Sequence, residues 1–211
     1  MKKGLTEITV VMDKSGSMEH LTKDTIGGFN SFIEGQKKIP GDATLSLFLF
    51  GTEIYPLYEN KDIKTINPIT SEEYVADDYS TALCDAIGKT IDSVGARLSA
   101  TNENDRPEKV LIVILTDGFE NDSKKYNQSK IKEMVENQRK TYSWEFIFLG
   151  ANMDAFTVGG SYGIQNNINY SSTNIGTRKA YETVCYAATN IRLGKSIMDG
   201  VSNDIRDNTN V

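Results

Sequence analysis

The sequence contains one histidine, His20, and two cysteines, Cys84 and Cys185. With so few imidazoles and thiols there is no Cys/His ligand set for zinc, and neither cysteine sits in a CxxC pair. A Ser-His-Asp hydrolase needs a base that reaches its nucleophile. The lone His20 follows Met18-Glu19 near an expected loop rim, and no G-x-S-x-G turn is present. His20 therefore reads as a surface residue or a partner contact ahead of a catalytic one. Both cysteines lie among apolar neighbours in helical sequence and read as reduced core thiols, with a disulfide as the alternative.

No run of about 18 or more apolar residues exists to cross a bilayer, and no membrane partner is expected. Met1-Lys2-Lys3-Gly4 leads directly into strand-like sequence rather than an apolar leader, so the expected location is the cytoplasm. A component of a phage or of a secreted machine is the alternative. Positive charge is also short: 23 Lys and Arg stand against 29 Asp and Glu, a net charge of −6. Phosphate backbones attract clustered cations, so this balance argues against nucleic acid as the main ligand and suits a bound cation. The basic-looking stretch Lys124, Lys125, Lys130, Lys132, Arg139 and Lys140 is interleaved with Glu133 and Glu136, the pattern of a solvated helix face.

What is present is ordinary for a globular protein: 38% hydrophobic and 25% charged residues over 211 positions. These fit one domain, residues 1–193, followed by a polar tail, 194–211, expected to be flexible. Strand-like sequence occurs at residues 5–12 (LTEITVVM), 43–50 (ATLSLFLF), 110–115 (VLIVIL), 144–149 (WEFIFL) and, weakly, 167–170. The turn signal Gly51-Thr52 predicts a return over residues 53–59 as an antiparallel edge strand, the setting Pro56 tolerates. Residues 60–80 read as a long polar connection.

Helical spacing covers residues 22–37, through Ile26, Phe29, Phe32 and Ile33, with Thr22 or Asp24 as N-cap. Gly27-Gly28 inside it suggests close packing. A second helix is predicted over 81–98, through Leu83, Ile87, Ile91, Val94 and Leu98. Others follow at 126–140, at 154–158 with Asn152 and Asp154 as caps, and at 174–193. The alternation implies an α/β fold with a doubly wound parallel sheet and right-handed crossovers.

Chemistry concentrates in three places. Asp13-Lys14-Ser15-Gly16-Ser17 begins where the first strand stops, and Asp117 follows the fourth. Ligands of such sheets bind beyond the carboxyl ends of the strands, where strand order reverses. Thr81 stands at the start of its predicted helix. Together these give two carboxylates and three hydroxyls, all oxygen donors of the kind a hard cation such as Mg²⁺ takes. Gly16 permits the tight turn that turns Ser15 and Ser17 inward. Hydroxyls add no charge, so a cation held this way keeps its appetite for a partner's Asp or Glu carboxylate. A phosphoryl-accepting Asp13 would want an acid two residues on, where Ser15 stands.

In order and context, Asp13, Ser15, Ser17, Thr81 and Asp117 resemble the metal-ion-dependent adhesion site of von Willebrand factor A domains. The resemblance runs over roughly residues 5–193, through DKSGSM, DTIGGFNSFIEGQK, STALCDAI, PEKVLIVILTDGFEN and WEFIFLGANMDAF, and is closest to small bacterial and phage proteins. It implies a mostly parallel, Rossmann-like sheet of about six strands with one antiparallel edge strand and helices on both faces. It implies Mg²⁺, with Mn²⁺ or Ca²⁺ as alternatives, bound by the two serines and the threonine, the aspartates acting partly through water. One position departs: the family pattern has a glycine near 79, and this chain has Tyr79. The function so implied is a metal-dependent protein-binding module rather than an enzyme. A structural or assembly subunit, phage-encoded or ATPase-associated, is one alternative. A metal-assisted phosphohydrolase using Glu19, His20 or Glu120 as base is another. Phe119 and Glu120 read either as border residues that contact the partner or as loop packing and capping. Oligomeric state is left open.

Overall fold

A computed structural model of the chain describes residues 1–201 and the backbone of residues 207–208. One sheet runs in the order β3-β2-β1-β4-β5-β6-β7, where β1 is Lys2–Asp13, β2 Ala43–Phe50, β3 Ile54–Asp62, β4 Pro107–Thr116, β5 Glu145–Ala151, β6 Asn166–Tyr170 and β7 the short Asp207–Asn208. All pairs are parallel except β2–β3, where β3 forms the antiparallel edge. The turn into β3 is longer than two residues: the Gly51 amide donates to the Glu53 carbonyl at 3.0 Å, and the strand starts at Ile54. Pro56 pairs with Phe48 from that edge, where its missing N–H breaks no central ladder.

Side chains two apart on a strand share a face. Ile8, Val10 and Met12 of β1 pack with α1 (Thr22–Lys37) and α5 (Asn174–Arg192). Val11, Ile112 and Ile114 pack on the opposite face with α2 (Leu83–Ala100), α3 (Gln128–Tyr142) and α4 (Ala155–Ser161). Central strands buried on both faces explain the near-continuous apolar runs in their sequences. The architecture is thus the expected one: a mostly parallel sheet with helices on both faces. Among the described residues no helix is long and apolar enough to cross a membrane.

Several details depart from the expectation. α1 has neither Thr22 nor Asp24 as its cap. A 3-10 turn over Gly16–Leu21 delivers the chain in helical conformation, so no extended residue is left to cap it. The connection over 60–80 is less polar in role than in composition: Ile63, Ile66, Ile69, Tyr74 and Ala76 are buried. Its first residues continue β3 to Asp62 and a 3-10 turn covers Ile63–Thr65; the rest lies as a strap, held where Asn30 exchanges two 2.9 Å hydrogen bonds with the backbone of Ile69. Asn152 does not cap α4. It sits at φ 50° and accepts from the Ser172 amide at 2.9 Å, while Asp154 alone accepts from the Thr157 amide.

The tail expected to be flexible from residue 194 starts as packed chain. Ile197 and Met198 are buried, and Asn190 Nδ2 donates to the Asp199 carbonyl at 2.9 Å. The polar residues around these two apolar anchors masked them in the sequence. Residues 202–206 and 209–211 of that tail lie outside the described residues.

Glu7 of β1 is buried and paired with Arg97 of α2. Burial raises its pKa above 4.5 more than the Arg97 hydrogen bond and charge lower it. Its stability contribution is therefore complete below pH 4.5 and is lost as pH rises through the folded-state value. Glu7→Gln is expected to gain stability relative to wild type as pH rises from about 4 to about 8 in paired urea titrations. A flat difference, or one of opposite slope, would count against this.

Candidate metal centre

β1 and β4 are neighbours, and chain order reverses between them, so the loops leaving their carboxyl ends meet at the switch point. Asp13 ends β1, and Asp117 is the first residue after β4. Asp13 is fully buried; its Oδ1 accepts from the Ser15 amide at 2.8 Å and its Oδ2 from the Thr116 hydroxyl at 2.5 Å. The first of these bonds bends the chain after β1. Ser15 Oγ and Ser17 Oγ then lie 3.1 Å apart, and Ser17 Oγ donates to Asp117 Oδ1 at 2.5 Å. Four of the five expected side chains thus form one connected cluster.

Thr81, only 3% exposed, approaches from a loop and not from a helix, since α2 begins at Leu83. The reason is that the first amides of α2 already have acceptors: Cys84 N–H on Glu120 Oε2 at 2.6 Å, and Asp85 N–H on Ser123 Oγ at 2.9 Å. Thr81 is fastened to the loop after β4 instead. Its amide donates to Asn121 Oδ1 at 2.8 Å, and its carbonyl accepts from the Asn121 amide at 3.1 Å. Gly118 allows this approach, because a Cβ there would lie 2.8 Å from Thr81 Oγ1. Tyr79 is fully exposed, so the side chain at the departing position points to solvent and does not displace Thr81.

Burial raises the Asp13 pKa from 3.8 to about 6, and the nearby Asp117 charge adds to the rise against hydrogen bonds from Thr116 and Ser15. Burial also raises Asp117, opposed by the Ser17 hydroxyl and the His20 charge. Among the described residues no Lys or Arg pairs with either carboxylate. The nearest in sequence, Lys14, turns away to Asp77 at 3.0 Å and Asp78 at 3.1 Å. No three His, Cys, Asp or Glu side chains meet among the described residues, so the donors available here are two carboxylates and hydroxyls. One buried and one half-buried carboxylate, unpaired with Lys or Arg among the described residues and ringed by hydroxyls, fit a hard divalent ion.

Sequence reasoning missed the supports of this cluster. Thr116 carried a signal, a hydroxyl residue at the strand end beside Asp117. The strap residues carried none. Gly16 N–H donates to the Asp78 carbonyl at 2.7 Å, and the buried Tyr74 hydroxyl donates to the Asp13 carbonyl at 2.6 Å. Tyr74→Phe keeps the ring and removes that bond; it should cost about 1 kcal/mol in urea denaturation. An unchanged midpoint would show that the bond does not hold the strap.

The remaining candidates have plain roles. Glu120 is a capping residue: its carboxylate accepts from the Cys84, Asp122 and Ser123 amides and from the Ser123 hydroxyl. Phe119 beside it is exposed. His20 Nε2 lies 2.7 Å from Ser172 Oγ at the rim. Both cysteines are free thiols. Lys130 and Lys140 pair with Glu133 and Glu136 along the outer face of α3.

No family model and no curated protein matches the sequence. Solved structures do match, and the fold they share with this chain is that of von Willebrand factor A domains. One is proximal thread matrix protein 1 from the mussel byssus with a zinc-occupied MIDAS motif; the two are 16% identical with a TM-score of 0.59, covering 88% of this chain and 46% of that one. A second is the ArnB paralog VWA2 from Sulfolobus acidocaldarius, 20% identical with a TM-score of 0.54, covering 86% of this chain and 44% of that one. A third is the pilus adhesin SpaC from Lactobacillus rhamnosus GG in an open conformation, 11% identical with a TM-score of 0.63, covering 90% and 30%. The chain spans less than half the length of each of these proteins. The zinc in the byssus protein also shows that a motif of this kind does not reject zinc in that protein.

Proposed function

We propose that this chain is a metal-dependent protein-binding module. Asp13, Ser15, Ser17, Thr81 and Asp117 would hold a divalent cation, Mg²⁺ in the first instance and Mn²⁺ or Ca²⁺ otherwise. The observation that carries the reading is the connected cluster of Asp13, Ser15, Ser17 and Asp117 at the switch point, with no Lys or Arg among the described residues paired to its carboxylates. When bound, the cation supplies a positive site for a carboxylate oxygen of a partner's Asp or Glu.

Each residue has a separate task in this reading. The hydroxyls of Ser15, Ser17 and Thr81 ligate without adding charge. The carboxylates of Asp13 and Asp117 balance the cation and orient its water. Thr116 and Tyr74 hold Asp13 in place from behind. Binding is favoured over turnover because Glu120, a sequence candidate for a general base, is fully engaged as a cap. The pilus adhesin among the structural neighbours supports an interaction role.

The test is capture of a purified partner by immobilised protein in Mg²⁺, in chelator, and with the partner's acidic residue changed to Ala. Capture should need both the metal and the carboxylate. If chelation lowers the melting temperature and leaves capture intact, the metal serves the fold alone and the chain is an assembly subunit.

A further inference from the structure

Beside the metal centre lies a cleft of about 530 Å³, walled by the start of α2, the loop after β4 and α4. We propose that it is a side-chain pocket for a large apolar residue of the partner, adjacent in the partner's chain to the carboxylate that reaches the cation. The proposal rests on the function given above and names the second feature that the partner must carry.

Two of the cleft's walls continue the loops of the metal centre. Phe119 is two residues beyond Asp117, and Cys84 is three beyond Thr81. Two residues of extended chain span roughly 7 Å, the length over which one bound segment would offer a carboxylate to the cation and an apolar side chain to the cleft.

The chemistry of the walls selects the occupant. Glu120, Ser123, Tyr126, Thr157 and Ser161 engage their polar groups within the protein, while Asn127 and Gln128 are exposed. Glu120 takes four hydrogen bonds, the Tyr126 hydroxyl donates to Asp92, and the Ser161 hydroxyl donates to the Val158 carbonyl at 2.6 Å. Among the described residues no Lys, Arg or His lines the cleft, and the Lys125 ammonium sits over the Tyr126 ring. A cation finds only a carboxylate whose lone pairs are already taken. The apolar surface is Phe119, 63% exposed, with half-buried Val158 beside it, over a floor of Cys84 and the buried rings of Tyr126 and Tyr162. Burial pushes the Cys84 thiol up to about 12, so that wall too is uncharged. An exposed aromatic at the rim of such a cleft, next to a charged anchor, is the usual composition of an interface hot spot.

The test uses three probes on Mg²⁺-loaded protein, followed by methyl NMR: acetate, 3-phenylpropionate and 3-phenylpropanamide. Phenylpropionate should bind about tenfold or more tightly than acetate and shift the Val158 methyl signals, which acetate leaves in place. Val158→Glu, and independently Phe119→Ser, should remove the tenfold gain and leave the affinities for acetate and Mg²⁺ as they are. Equal affinity for the two acids, or Val158 signals that do not move, overturns the proposal. If phenylpropionate and its amide bind alike, shift Val158 and ignore chelator, the pocket stands and the carboxylate-to-metal reading falls.

Discussion

Asp13→Ala is expected to lower Mg²⁺ affinity by about a hundredfold or more in calorimetric titration, while the fold persists. Even outer supports of metal ligands typically cost 10–100-fold when removed, and Asp13 carries charge into a buried site. The fold should survive because the lost carboxylate is one that burial already disfavours in its charged form. Its partners are also small: a Ser15 amide and a Thr116 hydroxyl, each able to find water or each other's neighbours once the site opens. In chelator the variant should therefore melt within a few degrees of wild type. Thr81→Ala should weaken Mg²⁺ less, since it removes one neutral donor and leaves both charges. Equal Mg²⁺ affinity for wild type and Asp13→Ala would remove the basis of the proposed function.

The second large effect concerns two adjacent glycines that should respond with opposite sign. In a helix, Ala is favoured over Gly by about 1 kcal/mol. Gly27 faces open space, so Gly27→Ala should stabilise by up to about that amount. At Gly28 a Cβ would come 2.2 Å from Tyr181 Cδ2, 2.7 Å from its Cγ and 2.8 Å from its Cε2. Tyr181 of α5 is only 5% exposed and packs against α1, so its ring must shift as a whole to make room. Overpacking costs typically 1–3 kcal/mol and here should exceed the helix gain, so Gly28→Ala should destabilise by about 2 kcal/mol or more. Urea titration of the two variants reads both signs at once. Stabilisation by both would mean that the α1–α5 contact is looser than described.

The difference between these glycines shows what the sequence could and could not convey. Local periodicity placed α1 at residues 22–37 and β2 at residues 43–50 with the bounds the structure has, because each buries one regular face or both. It marked Gly27-Gly28 as a point of close packing but not which of the two touches a neighbour, since that neighbour, Tyr181, lies far along the chain. The candidate metal site was legible for a different reason. Asp13, Ser15 and Ser17 are close in sequence and follow a strand, and Asp117 follows another, so strand order alone brings them together. Thr81 was misplaced onto a helix because the residues that satisfy the helix amides, Glu120 and Ser123, come from a separate loop. The strap through Tyr74 left no trace, as its burial follows the path of the chain and not a repeat. The packed start of the C-terminal segment was hidden in the same way, by two apolar residues among polar ones.

The most direct measurement is the anomalous difference map from crystals of the wild-type protein soaked in Mn²⁺. One peak is predicted at the carboxyl ends of β1 and β4, within coordination distance of Ser15 Oγ and Ser17 Oγ and beside the carboxylates of Asp13 and Asp117. A well-diffracting, Mn²⁺-saturated crystal with no peak there, or with its strongest site elsewhere on the molecule, would contradict the account.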